Sequence, residues 1–310
     1  MNLKQFLNKI RKVLKEPQKR ILYPLFKKMI FWLPDELYLK LLHLMILKRK
    51  LDLDNPTTFN EKLQWLKLHD HNPLYIKLVD KYEVRKYVRN KIGEEYLIPL
   101  LGVWDSVDEI DFKQLPDQFV LKCTHDSGSV ILCKDKSTFD IKAVKKKIDG
   151  CMKRNYYYPG REWPYKFVKP RIIAEEFLEE VQGEDLKDYK IFCFHGKPKI
   201  IEVDIDRYKD HKRNLYSTRW RYIPVQFKYP THPEIVIDKP QNLERMLTLA
   251  SKLAGKFPHV RVDFYSVHNT TYFGEMTFYH GSGFNKITPL GFSYRMGSWI
   301  HINPQKTLRR

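Results

Sequence analysis

Two runs of alternating apolar and polar residues constrain this chain more than anything else in it: Val260–Tyr265 and Thr271–Phe278, separated by the polar link Ser266–Thr270. Alternation at period two specifies strands, and so short a link specifies a hairpin. Centring the hairpin on Asn269 sets Asp263 opposite Glu275 and Arg261 opposite Thr277, all on one face. Val262, Phe264, Gly274, Met276 and Phe278 take the other face and suit a core. Two carboxylates directly across a ladder repel one another, and one arginine is a poor match for both. A divalent cation held by the two carboxylates, with phosphate oxygens completing its shell, suits the arrangement. A salt-bridged, solvated hairpin face is the alternative that spacing leaves open.

The 310 residues suffice for about two lobes. Lys and Arg exceed Asp and Glu by 56 to 37, a net charge of +19, which points to an anionic partner. Residues 1–50 hold 13 of the basic residues against 3 acids. Cys123, Cys133, Cys151 and Cys193 stand singly, which argues against a zinc cluster or a disulfide framework and favours a reducing cytoplasm. No apolar run approaches the roughly 18 residues of a membrane span, and the basic start lacks the features of a secretory leader.

In chain order, Leu3, Phe6, Leu7, Ile10, Val13 and Leu14 mark a basic amphipathic helix, which either lies on an anionic membrane or docks on the protein. Helices are expected over 35–48, from a Thr58/Glu61 capping box to Asp70, over 75–90, over 137–155 and over 240–257. Strands are expected at 97–103, 118–123, 129–133 and 171–175, with a hairpin of 187–195 and 199–204 across Gly196-Lys197-Pro198. Residues 205–222 read as a polar, aromatic, strongly basic loop. Arg207, Lys209, His211, Lys212, Arg213, Arg219 and Arg221 there suit a carboxylate, and Tyr216 and Trp220 suit sugar faces.

Three further stretches bear on chemistry. Lys122 precedes the turn Thr124–Ser129, whose amides would suit an anion, though an ordinary hairpin has the same form. Glu175, Glu176, Phe177 and Leu178 close an apolar strand in a way that suits adenine and ribose, or simply end the strand. Asp188 and Lys190 share a strand face, as a phosphate-binding lysine or as a surface ion pair.

The motifs FNEKLQWLK, LVDKYEVRKYV, FVLKCTHDSG, EEFLE, LKDYKIFCFHGKPK, VRVDFY and FGEMTFYHGSG occur in this order over about residues 57–300. Together they resemble the ATP-grasp superfamily, and within it the TupA-like, teichuronopeptide-biosynthesis branch, whose members are often labelled glycosyltransferases. The resemblance implies an α+β fold in which two lobes with antiparallel sheets clamp ATP and Mg²⁺, preceded by a helical N-terminal region. The implied divisions are 1–56, a basic helical region; 57–117, a helical segment; 118–178, the small lobe; and 179–310, the large lobe.

It further implies that Lys81, Lys122 and Lys190 touch phosphates, and that the turn with His125, Asp126, Ser127 and Gly128 covers them. Glu175, Glu176, Phe177 and Leu178 would hold adenine, Glu184 the ribose, and Asp263 and Glu275 the metal. Asp188 belongs with the nucleotide set through its strand. Thr277 stands where the family carries Asn or Asp, so it would give the metal a neutral oxygen. Arg261 and Arg207 join Lys122 and Lys190 as catalytic candidates. The implied activity is ATP-dependent ligation of a carboxylate to an amine in surface-polysaccharide synthesis. An anionic or lipid-linked glycan and an amino acid or amine would be the partners, with peripheral contact at the inner membrane face through residues 1–50 and no nucleic acid. A glycan kinase, and a glycosyltransferase using Asp204-Ile205-Asp206, are the alternatives. A non-catalytic binder of anionic glycan or lipid would leave the Asp263/Glu275 pair without a purpose.

Overall fold

A computed structural model describes residues 32–179, 186–205 and 212–303. The helix expected at 3–15, Glu184 and Arg207 lie outside the described residues, as does Asp206. Among the described residues no helix is long and apolar enough to cross a membrane.

Helix α1 (Asp35–Leu47) leads to α2 (Phe59–His69), which opens on the expected capping box: the Thr58 side chain accepts from the Glu61 amide, and the Glu61 carboxylate accepts from the Thr58 amide at 2.9 Å. The single helix expected over 75–90 is instead two, α3 (Leu74–Val79) and α4 (Val84–Lys91). Asp80 breaks it. Its Oδ1 accepts from the amides of Tyr82 and Glu83 at 2.8 and 3.2 Å, caging the start of α4 in the way a short acidic side chain caps a helix. Lys81 is thereby expelled from helical geometry, and its N–H bonds to the Thr124 carbonyl at 3.1 Å.

Four antiparallel strands form one sheet in the order β1-β4-β2-β3: β1 (Leu100–Trp104), β2 (Phe119–Cys123), β3 (Ile131–Cys133) and β4 (Ile172–Glu176). Helix α5 (Ile141–Met152) covers it, and Phe112, Phe119, Leu121 and Ile148 pack between them. The short α6 (Tyr157–Gly160) precedes β4. The second sheet has six antiparallel strands in the order β11-β10-β5-β6-β7-β8. These are β5 (Asp188–Phe194), β6 (Lys197–Ile205), β7 (Lys212–Ser217), β8 (Tyr222–Ile223), β10 (Val260–Val267) and β11 (Thr270–Thr277). Helix α7 (Leu243–Ala254) packs on β5, β6 and β10. A small ladder of β9 (Gln226–Phe227) and β12 (Ile287–Thr288), then α8 (Leu290–Ser298) against α2, complete the description.

Two hairpins of the large sheet, β5–β6 and β10–β11, are built alike. His268-Asn269 and His195-Gly196 each have two positive φ values, 48° and 63°, and 47° and 79°, as a two-residue turn matched to strand twist requires. Each turn is therefore shorter than expected. Further along, each ladder carries a bulge, four rungs from the turn between Asp263 and Phe264 in one and two rungs from it between Phe192 and Cys193 in the other. The bulge sets Phe273, not Gly274, opposite Phe264, and returns the register so that Asp263 does face Glu275 and Arg261 does face Thr277. The expected loop over 205–222 is also corrected: its second half is β7, with Leu215 fully buried between β6 and β8.

Candidate active site

The loop Thr124–Ser129 is held from two sides. The Lys81 ammonium donates to the Asp126 carbonyl, and the Asp126 carboxylate accepts from Ser129 Oγ at 2.5 Å. Ser129 Oγ also accepts from the Cys123 amide at 3.0 Å, which closes the turn onto β2. Ser127 and Gly128 form its exposed tip. His125 leaves the nucleotide set assigned to it, because its buried ring turns to the Cys151 and Arg154 carbonyls at 3.3 and 3.1 Å. It anchors the loop to the end of α5.

Lys122 lies 2.6 Å from Glu175, whose other oxygen meets Arg85 at 3.0 Å. Glu175 is thus a buried counter-ion between two cations, and its backbone sits inside the ladder opposite Leu100 and Val120. Glu176 gives its N–H to the Pro99 carbonyl. The backbone free for a base therefore begins at Phe177 and Leu178, just beyond the strand. A cavity of about 930 Å³ lined by Tyr82, Arg85, Lys86, Arg89, Pro99 and Tyr272 holds none of the expected site residues and meets this region at Arg85, Pro99 and Leu100.

The large sheet presents an ionic face. Register places Glu275, Asp263, Lys190 and Glu202 in one row, with Asp188, Asp204 and Arg213 in a second and Arg261 and Thr277 in a third, all on one side by strand alternation. Met276, Val262, Ile191 and Ile201, in the intervening row, are buried on the opposite side. Arg261 is central: Nε and Nη2 donate to the two oxygens of Asp263 at 2.7 and 2.6 Å, Nη2 to Glu275 Oε1 at 2.6 Å, and Nη1 to His280 Nδ1 at 2.8 Å. One arginine does serve both carboxylates, and apart from the part-exposed Glu275 and Thr277 the side chains of this face are buried, not solvated. Lys190 pairs with Asp188 and with Asp204 at 2.9 Å, while Arg213 meets Asp204 at 2.7 Å and Glu202 at 3.1 Å.

Five carboxylates (Asp188, Glu202, Asp204, Asp263, Glu275) here face three cations (Lys190, Arg213, Arg261). Burial, with the charges of Asp188 and Glu275, outweighs Arg261 and pushes the Asp263 carboxyl up to about 8. Burial also pushes Glu275 upward, but Arg261, Lys81, Lys190 and the Thr277 hydroxyl overcome it and hold Glu275 down at about 2. Lys190 is raised, because the attraction of Asp188, Asp263 and Asp204 exceeds the effect of burial.

These residues suit a hard cation. Both hydrogen bonds to Glu275, from Arg261 and from Thr277 at 3.1 Å, fall on Oε1, its side chain is 38% exposed, and among the described residues nothing donates to Oε2. Each Asp263 oxygen keeps a second lone pair beyond its Arg261 bond. A carboxylate-rich, oxygen-only donor set with surplus negative charge is what Mg²⁺ takes.

Lys81, Asp126, Asp263, Glu275 and Lys190 are brought together: the charge of Lys81 reaches Glu275, and so does that of Lys190. Lys122 and Glu175 stand on the neighbouring sheet. Arg213 is withdrawn from the expected acceptor loop by its ion pairs, and Tyr216 stacks on Trp220 at 4.3 Å, so Arg219 and Arg221 are its exposed described cations. The turn His280–Gly283 offers no spare Ser282 amide, which bonds to Tyr279; Asn60, Gln64 and Lys67 of α2 tie its carbonyls down. Sequence reasoning missed Glu202, Arg213 and Arg85 as parts of the ionic network. The pattern Glu202-x-Asp204, opposite Asp188-x-Lys190, was the signal for Glu202.

A family model described as TupA-like ATP-grasp matches residues 61–301. Among solved structures, the chain is similar to D-alanine–D-alanine ligase from Bacillus anthracis complexed with ATP, at 14% identity, a TM-score of 0.40 and coverage of 75% of this chain and 63% of that one. It is similar to the D-alanine–D-alanine ligase of Helicobacter pylori at 14% identity, TM-score 0.39, covering 82% and 66%. It is also similar to the ATP-grasp ligase PsnB complexed with minimal precursor, at 8% identity, TM-score 0.40, covering 77% and 67%. The chain spans less than two thirds of the first of these. No curated protein matches.

Proposed function

The chain belongs to the TupA-like ATP-grasp family, and from that membership we propose that it is an ATP- and Mg²⁺-dependent carboxylate–amine ligase. Glu275 is the observation that carries the reading. It is a carboxylate with one open oxygen, kept ionised beneath Lys81, which holds the loop, and beside Arg261 and Lys190. In this reading Lys81, Lys122 and Lys190 neutralise phosphate charge, the Thr124–Ser129 loop covers the phosphates, and Phe177 and Leu178 offer backbone to adenine. Asp263 and Glu275 would hold Mg²⁺, with the Thr277 hydroxyl as a neutral neighbour; the ion, when bound, neutralises phosphate oxygens. The terminal phosphoryl group passes to a substrate carboxylate oxygen, releasing ADP. An amine, freed of its ammonium proton, then attacks the carbonyl carbon through its nitrogen; the C–N bond forms, phosphate leaves with the C–O bond electrons, and the nitrogen releases a further proton to solvent to give the amide.

The substrate we propose is a uronic-acid-type carboxylate of a surface polysaccharide, joined to an amino acid or amine at the cytoplasmic membrane face. Support comes from the +19 charge, the 13 basic residues against 3 acids in residues 1–50, and the exposed Arg219 and Arg221. Arg207, outside the described residues, is the acceptor arginine in this proposal. The alternative transferase motif loses support, since Asp204 is held by Lys190 and Arg213. Incubation with Mg·ATP, uronates and amino acids, followed by mass spectrometry, tests the proposal. ADP with an amide product supports it, whereas a stable phosphate ester without an amide makes the protein a glycan kinase. UDP released from UDP-sugars makes it a glycosyltransferase.

A further inference from the structure

The segment from Tyr156 to Phe167 has no role in the reading above, yet it brings an unmatched carboxylate to the same place. Glu162 is 5% exposed. Ser282 Oγ donates to its Oε1, and among the described residues no lysine, arginine or histidine lies within ion-pair distance of it. The charges of Lys67 and Arg261 reach Glu162 from beyond ion-pair distance, and Lys67 directs its ammonium protons to Gln64 Oε1, Gly160 O and Ser282 O at 2.9, 2.6 and 2.7 Å. A buried carboxylate without a direct ion pair is unfavourable unless it is protonated or a cation arrives. Burial, with the charge of Glu275, pushes Glu162 upward, as expected of such a group.

Its surroundings select the kind of cation. Tyr156 and Tyr165 meet edge to face at 5.0 Å, and the charge of Glu162 acts on both. Aromatic rings and hydroxyls beside one carboxylate suit an ammonium group, through a charge-assisted hydrogen bond and ring faces. They do not make the octahedral oxygen shell that Mg²⁺ demands. The place fits as well: Glu275 and Arg261 act on Glu162 and Tyr165, and Ser127, at the tip of the loop, acts on Tyr156. Close packing holds the carboxylate there, since a Cβ on Gly160 would lie 2.4 Å from Ser282 Oγ and 3.2 Å from Glu162 Oε1.

We propose that Glu162, with Tyr156 and Tyr165, binds the ammonium group of the amine donor beside the Asp263/Glu275 rung. This deepens the ligase reading and rests on it. The full chain is incubated with Mg·ATP and either glucuronate or oligogalacturonate. The acylphosphate is trapped with hydroxylamine, an uncharged nucleophile that needs no ammonium site; glycine, alanine, lysine and glutamate are then offered singly as amines. Glu162→Gln keeps the shape and the Ser282 contact while removing the charge. It should form hydroxamate at a rate within about twofold of wild type, while the amine KM rises at least about tenfold, the loss of one charge-assisted contact. Glu162→Asp should recover part of that rise. Hydroxamate from both proteins with the same amine KM overturns the Glu162 assignment and leaves the ligase reading intact. No hydroxamate from wild type overturns the ligase reading and this site with it. A Glu162→Gln protein that loses hydroxamate formation together with thermal stability shows a structural carboxylate, which also overturns the assignment.

Discussion

Replacing Arg261 by methionine removes the cation shared by Asp263 and Glu275 and tests how the ionic face is balanced. The side chain is fully engaged, with two hydrogen bonds to Asp263, one to Glu275 and one to His280. Five carboxylates facing three cations would become five facing two. Leaving a buried charge without its partner costs about 3–5 kcal/mol. At about 2–4 °C per kcal/mol for a chain of this size, Arg261→Met should melt roughly 6–20 °C lower than wild type in EDTA, followed by circular dichroism. Two further arms identify the cause. Asp263→Asn in the same background should recover much of the loss, because the damage lies in the stranded carboxylate. Mg²⁺ should raise the melting temperature of Arg261→Met more than that of wild type, since the ion restores positive charge to the same oxygens. A variant that melts within a degree or two of wild type, or a double variant whose losses add, would refute the ion-pair account. Equal Mg²⁺ effects on both proteins would refute the metal site.

Glu275→Gln reverses the sign that repulsion across the ladder alone suggests. Because Arg261, Lys81 and Lys190 hold Glu275 at about 2, below its ordinary 4.5, its ionised form stabilises the fold above that ordinary value, and the contribution is lost as pH falls through about 2. With a 38% exposed side chain, the variant should lose only about 1 kcal/mol in urea melts at neutral pH, together with Mg·ATP-dependent turnover; a gain in stability would contradict this. Lys122→Met should weaken binding of an ATP analogue by roughly tenfold or more in calorimetry, and unchanged affinity would move the phosphates elsewhere. Buried His259, among Phe59, Phe192 and Phe194, is pushed by burial from 6.5 to about 3, so the unfolded chain takes up its proton first. Stability should fall by about 1.4 kcal/mol per pH unit between those values, and His259→Phe should flatten the acid limb; parallel limbs would count against it.

Strand period alone was enough to read the carboxylate rung, because a residue lost from the turn is regained at the bulge and the alternation around Asp263 and Glu275 survives. The thirteen-residue α1, the start of α2 and most strands were legible for the same reason, with local signals agreeing with tertiary packing. The break at Asp80 was not. Apolar spacing runs through it, and only the cage of amides around its carboxylate stops the helix. Strand β7 was hidden by its own charges, since Lys212 and Arg213 read as solvated until Glu202 and Asp204 are seen beside Arg213. Glu162 carried no signal at all; its meaning comes from Ser282, 120 positions away.

The resting partner of Lys122 has a kinetic consequence. Glu175 already occupies this ammonium at 2.6 Å and is itself steadied by Arg85. If Lys122 takes a nucleotide phosphate as proposed above, an incoming phosphate must displace an internal rival, and a departing one leaves a replacement that closes in behind it. In that proposal the lysine would trade tightness for speed: its grip on nucleotide would be weaker than an unopposed cation would give, and spent nucleotide would be expelled faster. Removing the rival with Glu175→Gln should thus slow ADP dissociation, so that the protein holds its product longer and cycles less often.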